Sequence, residues 1–159
     1  MEQLHHLLSE TKYNKSNSSN IDIVVIPWGA TEAHNYHLPY ATDNYLTQAF
    51  AEESALKAWQ MKVPVTVLPT IPFGVNTGQL DIPLTINMNP STQAKVLEDI
   101  IESLRPHNIK KIVIINGHGG NDFKQIIREF QGKYPDVFIC QVNYYQAVKS
   151  ENIFEDQGE

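Results

Sequence analysis

Short apolar runs alternate along the chain with longer stretches whose apolar residues recur every three or four positions. Residues 21–27 form the first run, rich in Ile and Val, and predict a buried strand. Residues 63–69, 111–115 and 136–142 predict three more. Between them lie three helix-period stretches. One spans roughly 43–59, with Ala49, Phe50, Ala55, Leu56 and Trp59 as its apolar face. A second starts at Pro90 and Ser91, buries Leu97, Ile100, Ile101 and Leu104, and stops at Pro106, His107 and Asn108. His107 there reads as solvent-facing. The third helix carries Phe123, Ile126, Ile127 and Phe130 on one side. Residues 71–85, punctuated by Gly and Pro, predict a long loop or lid. At the N-terminus, Leu4, Leu7 and Leu8 predict a short helix within 1–12, with His5 and His6 at or near the surface. A polar Asn/Ser loop follows over 14–20.

Strands alternating with helices predict an α/β fold, a mainly parallel sheet with right-handed crossovers. The 159 residues suit a single domain that opens with the helix and polar loop of residues 1–20. This topology also places the chemistry, because ligands of such sheets bind beyond the carboxyl ends of the strands. The loop 28–43 and the turn 116–121 both leave predicted carboxyl ends, so they share one edge.

Composition narrows the partners. The 42% apolar and 19% charged content describes a globular chain and not a disordered one. A net charge of −6 argues against nucleic acid or an anionic membrane as partner and suits a divalent cation. Cys140, the single cysteine, lies in an apolar run, forms no internal disulfide, and is expected to be a buried structural thiol. No basic segment followed by an apolar stretch opens the chain, and no run approaches the ~20 apolar residues of a membrane span. A reduced, cytoplasmic setting is the expectation.

The predicted edge carries the candidate chemistry. Glu32, His34, His37 and Asp43 fall within twelve residues, and His118 joins them from the Asn116-Gly117-His118-Gly119-Gly120-Asn121 turn. Imidazole and carboxylate are ligands of zinc, iron and manganese. In an extended loop residues 32 and 34 point the same way. An aspartate with both oxygens free can bridge two ions ~3.5–4 Å apart, as in two-metal hydrolases. Plainer readings stand beside these. Asp43 could simply cap its helix, and the glycines could serve a strand-to-helix turn with φ > 0. A phosphate- or nucleotide-binding module is a rival, since a Gly-rich turn before a helix also cradles phosphate. However, the turn lacks the Lys and Ser/Thr of a P-loop and the full Gly-x-Gly-x-x-Gly spacing. A non-catalytic metal-binding or assembly protein is a second rival.

Residues 26–34, continued by His37-Leu38-Pro39 and Thr42-Asp43, resemble the first signature of the creatininase family. Residues 116–121 are similar to its second, and Pro72-Phe73-Gly74 and residues 82–86 to its intervening segments. The resemblance implies a three-layer α/β/α sandwich, a dinuclear metal site and hydrolysis of an amide C–N bond. The bond would lie in a small cyclic amide, a formamide or a peptide. Carried over by position, Glu32 and His118 hold one metal, His34 the other, and Asp43 bridges them. Zinc is the expected ion, with iron or manganese as alternatives, up to two per subunit. His37 corresponds to a histidine close to the site. Gly119 and Gly120 could offer backbone N–H groups to an oxyanion. A homo-oligomer, such as the family's frequent hexamer, is implied.

Three departures accompany the resemblance. Asn35-Tyr36 stands where the family commonly has Gly-Pro. Gly120 stands where creatininase proper has a metal-binding glutamate, which points away from creatinine itself as substrate. The family pattern also continues past residue 159 with a third signature, His-Ala-Gly and then Glu-Thr-Ser. That signature supplies a catalytic histidine and, in Gly-Gly members, the last metal-binding glutamate. The expectation is therefore an incomplete domain with low activity for residues 1–159 alone.

Overall fold

The computed structural model describes residues 6–12 and 21–147. Four strands form one parallel sheet: β1 (Ile23–Trp28), β2 (Val65–Val67), β3 (Lys111–Asn116) and β4 (Phe138–Asn143), in the order β2-β1-β3-β4. Three helices connect them: α1 (Thr42–Gln60), α2 (Pro90–Leu104) and α3 (Lys124–Lys133). A four-residue helix, α4 (Tyr144–Ala147), follows β4 and was not predicted.

Strand alternation divides the core. Val24, Ile26, Trp28, Ile112 and Ile114 face one side, where they pack with Leu97 and Ile101 of α2 and Ile126 and Phe130 of α3. Val25 and Ile115 face the other side, against Ala51 and Ala55 of α1. The result is a helix–sheet–helix sandwich in which the central strands are apolar on both faces. Pro27 is tolerated in central β1 because β2 has already ended at Val67 on that flank; the Pro27 carbonyl instead accepts the Ile71 N–H at 2.9 Å. Phe123 is fully buried, its ring 4.8 Å from Trp28. Phe123→Ala is expected to cost about 3–5 kcal/mol in a denaturant melt.

Several expectations change. The buried face of α1 is Asp43, Asn44, Thr47, Ala51 and Ala55, while Ala49 and Phe50 are exposed. Three of those five are polar because the N-terminal turns of α1 lie against the site and not the core. Of the predicted N-terminal helix, the described part is a bridge from Leu7 to Val67 and a 3-10 turn over Leu8–Glu10. His6 is buried there, its carbonyl taking the Val67 N–H; His5 and the 14–20 loop lie outside the described residues. Cys140 is half-buried. His107 is exposed, as expected, at the end of a 3-10 turn over Arg105–His107 that Asn108 closes at φ 59°. Among the described residues, no helix is long and apolar enough to cross a membrane.

The candidate metal centre

Parallel register aligns Trp28, Asn116 and Asn143 at the carboxyl ends of β1, β3 and β4. The loops leaving β1 and β3 therefore start side by side. Asp43 sits in the first turn of α1, whose helix has no side-chain cap. Its carboxylate turns instead toward two imidazoles: Oδ1 is 3.0 Å from His34 Nε2, and Oδ2 is 3.1 Å from His118 Nδ1. The capping alternative is thus excluded by where the side chain points. Glu32 Oε1 approaches the same His118 nitrogen at 2.7 Å.

The outer nitrogen of each histidine is engaged elsewhere. His118 Nε2–H donates to the Val75 carbonyl at 2.9 Å, and His34 Nδ1–H to the Glu32 carbonyl at 3.2 Å. With those outer nitrogens facing carbonyls, the inner nitrogens are left to face the carboxylates, where each can hold a proton or a cation. Such outer bonds are what orient a ligating imidazole. An unprotonated inner nitrogen would set its lone pair against carboxylate oxygens, so a proton or a metal ion belongs between them.

Burial sharpens the point. Glu32, Asp43 and His118 are each less than 8% exposed, and Glu32 Oε2 and Asp43 Oδ2 have no hydrogen-bond partner. Among the described residues neither carboxylate pairs with Lys or Arg. Two buried carboxylates without a cation are costly. The donor set fits a divalent ion, since one ligand atom from each of Glu32, Asp43 and His118 lies within 4.8 Å of the others. Without an ion, a proton on His118 is the remaining compensation. Burial opposes that charge, but Asp43 and Glu32 outweigh it and push the imidazole up to about 10.

A pH dependence follows. The folded-state pKa lies above the ordinary histidine value of 6.5. The pair's stabilisation is therefore complete below about pH 6.5 and lost as pH rises through about 10. Urea melts of metal-free protein at pH 6, 8 and 10 should show stability falling across that window. A flat profile would contradict the arrangement.

The turn after β3 is knit by amides. Asn121 Nδ2 donates to Asn116 Oδ1 at 3.0 Å and to the Gly29 carbonyl at 3.3 Å, tying the β1 and β3 loops together. Its Oδ1 accepts from Val75 N–H at 3.0 Å and from Gln93 Nε2 at 2.7 Å. Sequence reading singled out Asn116 and Asn121 but missed Gln93 and the Val75 backbone. Gln93 was detectable as a polar residue four before Leu97 in the buried stripe of α2, whereas a carbonyl leaves no sequence mark.

The glycines do not adopt positive φ, so the turn-conformation reading is corrected. What two of them provide is room. A Cβ at Gly117 would stand 1.7 Å from Thr47 Oγ1, and one at Gly120 would stand 2.3 Å from the Val75 carbonyl oxygen and 2.4 Å from His118 Nε2. Gly119 and Gly120 are exposed, and no backbone bond among the described residues uses their N–H groups. His37 is exposed in the turn after Asn35, which itself has φ 54° and precedes a fully exposed Tyr36. The 71–85 segment is a loop, but one pinned by bridges from Ile71 to Trp28 and from Gly74 to Asn87, so it forms a wall of the site.

A model of the creatininase family, described as creatinine amidohydrolase, matches residues 6–158. The chain belongs to the creatininase family. A 3-dehydro-scyllo-inosose hydrolase of Thermotoga maritima is 26% identical over 143 residues, covering 86% of this chain and 43% of that protein. A creatinine amidohydrolase of Pseudomonas putida is 26% identical over 145 residues, covering 84% and 54%. The chain thus spans about half the length of the curated relatives it matches. A solved structure from Bacteroides fragilis, described as a candidate creatinine amidohydrolase, superimposes with TM-score 0.88 at 38% identity, covering 98% of this chain and 62% of that one. A creatininase described as the Zn-Zn type shares the fold at TM-score 0.74 and 21% identity, covering 94% and 61%. These matches bear out the α/β fold and the family resemblance carried by the two signatures.

Proposed function

We propose that this creatininase-family protein is a divalent-metal-dependent hydrolase that cleaves an amide C–N bond. The observation that carries the reading is the convergence of two buried carboxylates on one imidazole nitrogen, Glu32 Oε1 and Asp43 Oδ2 on His118 Nδ1, while Glu32 Oε2 is left without a partner. Glu32 and His118 would hold one ion and His34 a second, with Asp43 shared. The opposed placement of its oxygens, one toward each histidine, supports that sharing. Zinc leads, with iron and manganese as alternatives. When bound, such ions supply Lewis-acid polarisation and a nucleophilic water at neutral pH.

The chain's own groups would do the rest. Val75 and Glu32 carbonyls keep His118 and His34 in the ligating tautomer. The free N–H groups of Gly119 and Gly120 would donate to the developing oxyanion, a contact worth a few kcal/mol where donors are fixed. His37, exposed at the rim, would contact substrate. The substrate class is a small cyclic amide, a formamide or a peptide. The 3-dehydro-scyllo-inosose hydrolase among the relatives adds that inosose to the screen. A cytoplasmic homo-oligomer, with a hexamer as the family form, completes the proposal.

A hydrolysis panel on the whole protein loaded with zinc, iron or manganese tests the reading. Turnover abolished by chelation and by Glu32→Gln is expected. Nucleotide binding that survives chelation, with no turnover, would overturn it in favour of a phosphate-binding module.

A further inference from the structure

Gln93 presents a physical puzzle. It sits in the first turn of α2 and is completely buried. Its neighbours along the stripe, Leu97 and Ile101, are equally buried and apolar, so the position asks for an apolar residue. Its Oε1 has no hydrogen-bond partner, and burying an unpaired amide oxygen costs free energy. Its Nε2 makes one contact, the 2.7 Å bond to Asn121 Oδ1.

That contact leads to the site. Asn121 Oδ1 also holds the Val75 N–H at 3.0 Å, and the Val75 carbonyl holds His118 Nε2–H at 2.9 Å. The Val75 backbone is therefore gripped from both sides: by Asn121 through its N–H and by His118 through its carbonyl. The Gln93 bond adds a second donor to the Asn121 oxygen beside the Val75 N–H, and so strengthens the rotation that the Val75 donor and the Asn116 and Gly29 acceptors select. A flipped Asn121 would point its NH2 group at the Val75 N–H, two donors face to face, and would release the loop that carries the Val75 carbonyl. The same rotation directs Asn121 Nδ2 at Asn116 Oδ1 and the Gly29 carbonyl.

We infer that Gln93 is a positioning residue for the metal centre, acting through Asn121 and the Val75 backbone to hold His118 with Nε2 protonated and Nδ1 aimed at Glu32 and Asp43. The inference rests on the metal-centre reading above. A purely structural glutamine would tie α2 to the turn and contribute to stability; a positioning glutamine accepts an unpaired oxygen in return for one fixed imidazole.

Gln93→Met separates the two roles. Methionine keeps the volume and flexibility and removes the unpaired oxygen. The whole protein and the variant are compared by thermal melt without metal, by zinc affinity in competition with a chromogenic chelator, and by the His118 Nε2–H signal in 15N-resolved NMR. A melting temperature equal to or above wild type, zinc affinity lowered about tenfold, and a His118 N–H signal shifted or lost to exchange are expected. Wild-type affinity and an unchanged His118 signal in the variant would overturn the inference while leaving the metal centre standing. Loss of stability with both site readouts unchanged would also overturn it, as the mark of a structural tie. Failure of wild type itself to bind zinc would instead overturn the metal-centre reading and this inference with it.

Discussion

Asp43→Ala is expected to abolish stable metal binding, lowering affinity by more than about 100-fold, a larger loss than removal of an outer-sphere partner causes. The reason is position. Each carboxylate oxygen faces a different histidine, so one substitution removes a ligand from both halves of the centre. Helix α1 should survive, because Asp43 makes no capping bond that the change would break. Metal content by mass spectrometry, beside a circular dichroism spectrum, checks both statements. A variant that keeps wild-type metal would show that Asp43 is only a neighbour of the histidines.

Gly120→Ala should do comparable harm by a different route. The added Cβ meets a backbone carbonyl and an imidazole nitrogen, at 2.3 Å and 2.4 Å, and neither is the loose end of a flexible side chain. The bond between His118 Nε2–H and the Val75 carbonyl must stretch or break. Overpacking of this kind costs about 1–3 kcal/mol. Loss of an orienting partner costs about 10–100-fold in metal affinity. Gly119→Ala is the control, since its Cβ would meet nothing within 4 Å. It should leave zinc affinity and melting temperature unchanged. Equal effects at both positions would mean that the turn senses any side chain and not the Val75–His118 contact.

The crowding at Gly120 also gives the departure from creatininase proper a physical side. The space a side chain would take there is filled by the Val75 carbonyl and His118 Nε2. A glutamate could enter only if that wall moved.

The strands were legible because they are continuous apolar runs, and the parallel sheet because helix-period stretches separate them. From that topology alone, Glu32, His34, Asp43 and His118 were expected on one edge, and the geometry brings these four side chains together. His37 stands apart at the rim, a distinction that residue spacing could not make. The face of α1 was misread for a reason intrinsic to such sites. Asp43, Asn44 and Thr47 are buried as polar residues, so the apolar period that marks a helix face is erased where the helix meets the centre. The wall over 71–85 was legible as a loop but not as a fixed one. On the loop's own side the anchored groups are main-chain, such as the Gly74 carbonyl that takes the Met88 N–H at 2.7 Å and the Val75 N–H and carbonyl held by Asn121 and His118, and such groups leave no mark in the loop's sequence.

If Glu32, Asp43 and His118 together hold a divalent ion, the ion must sit where their ligand atoms converge. Crystals of the protein soaked in zinc, with diffraction recorded on both sides of the zinc absorption edge, test it most directly. An anomalous peak enclosed by a Glu32 oxygen, an Asp43 oxygen and His118 Nδ1 is expected, with His118 Nε2 still bonded to Val75. Zinc bound only elsewhere, with His118 Nδ1 still against both carboxylates, would contradict it.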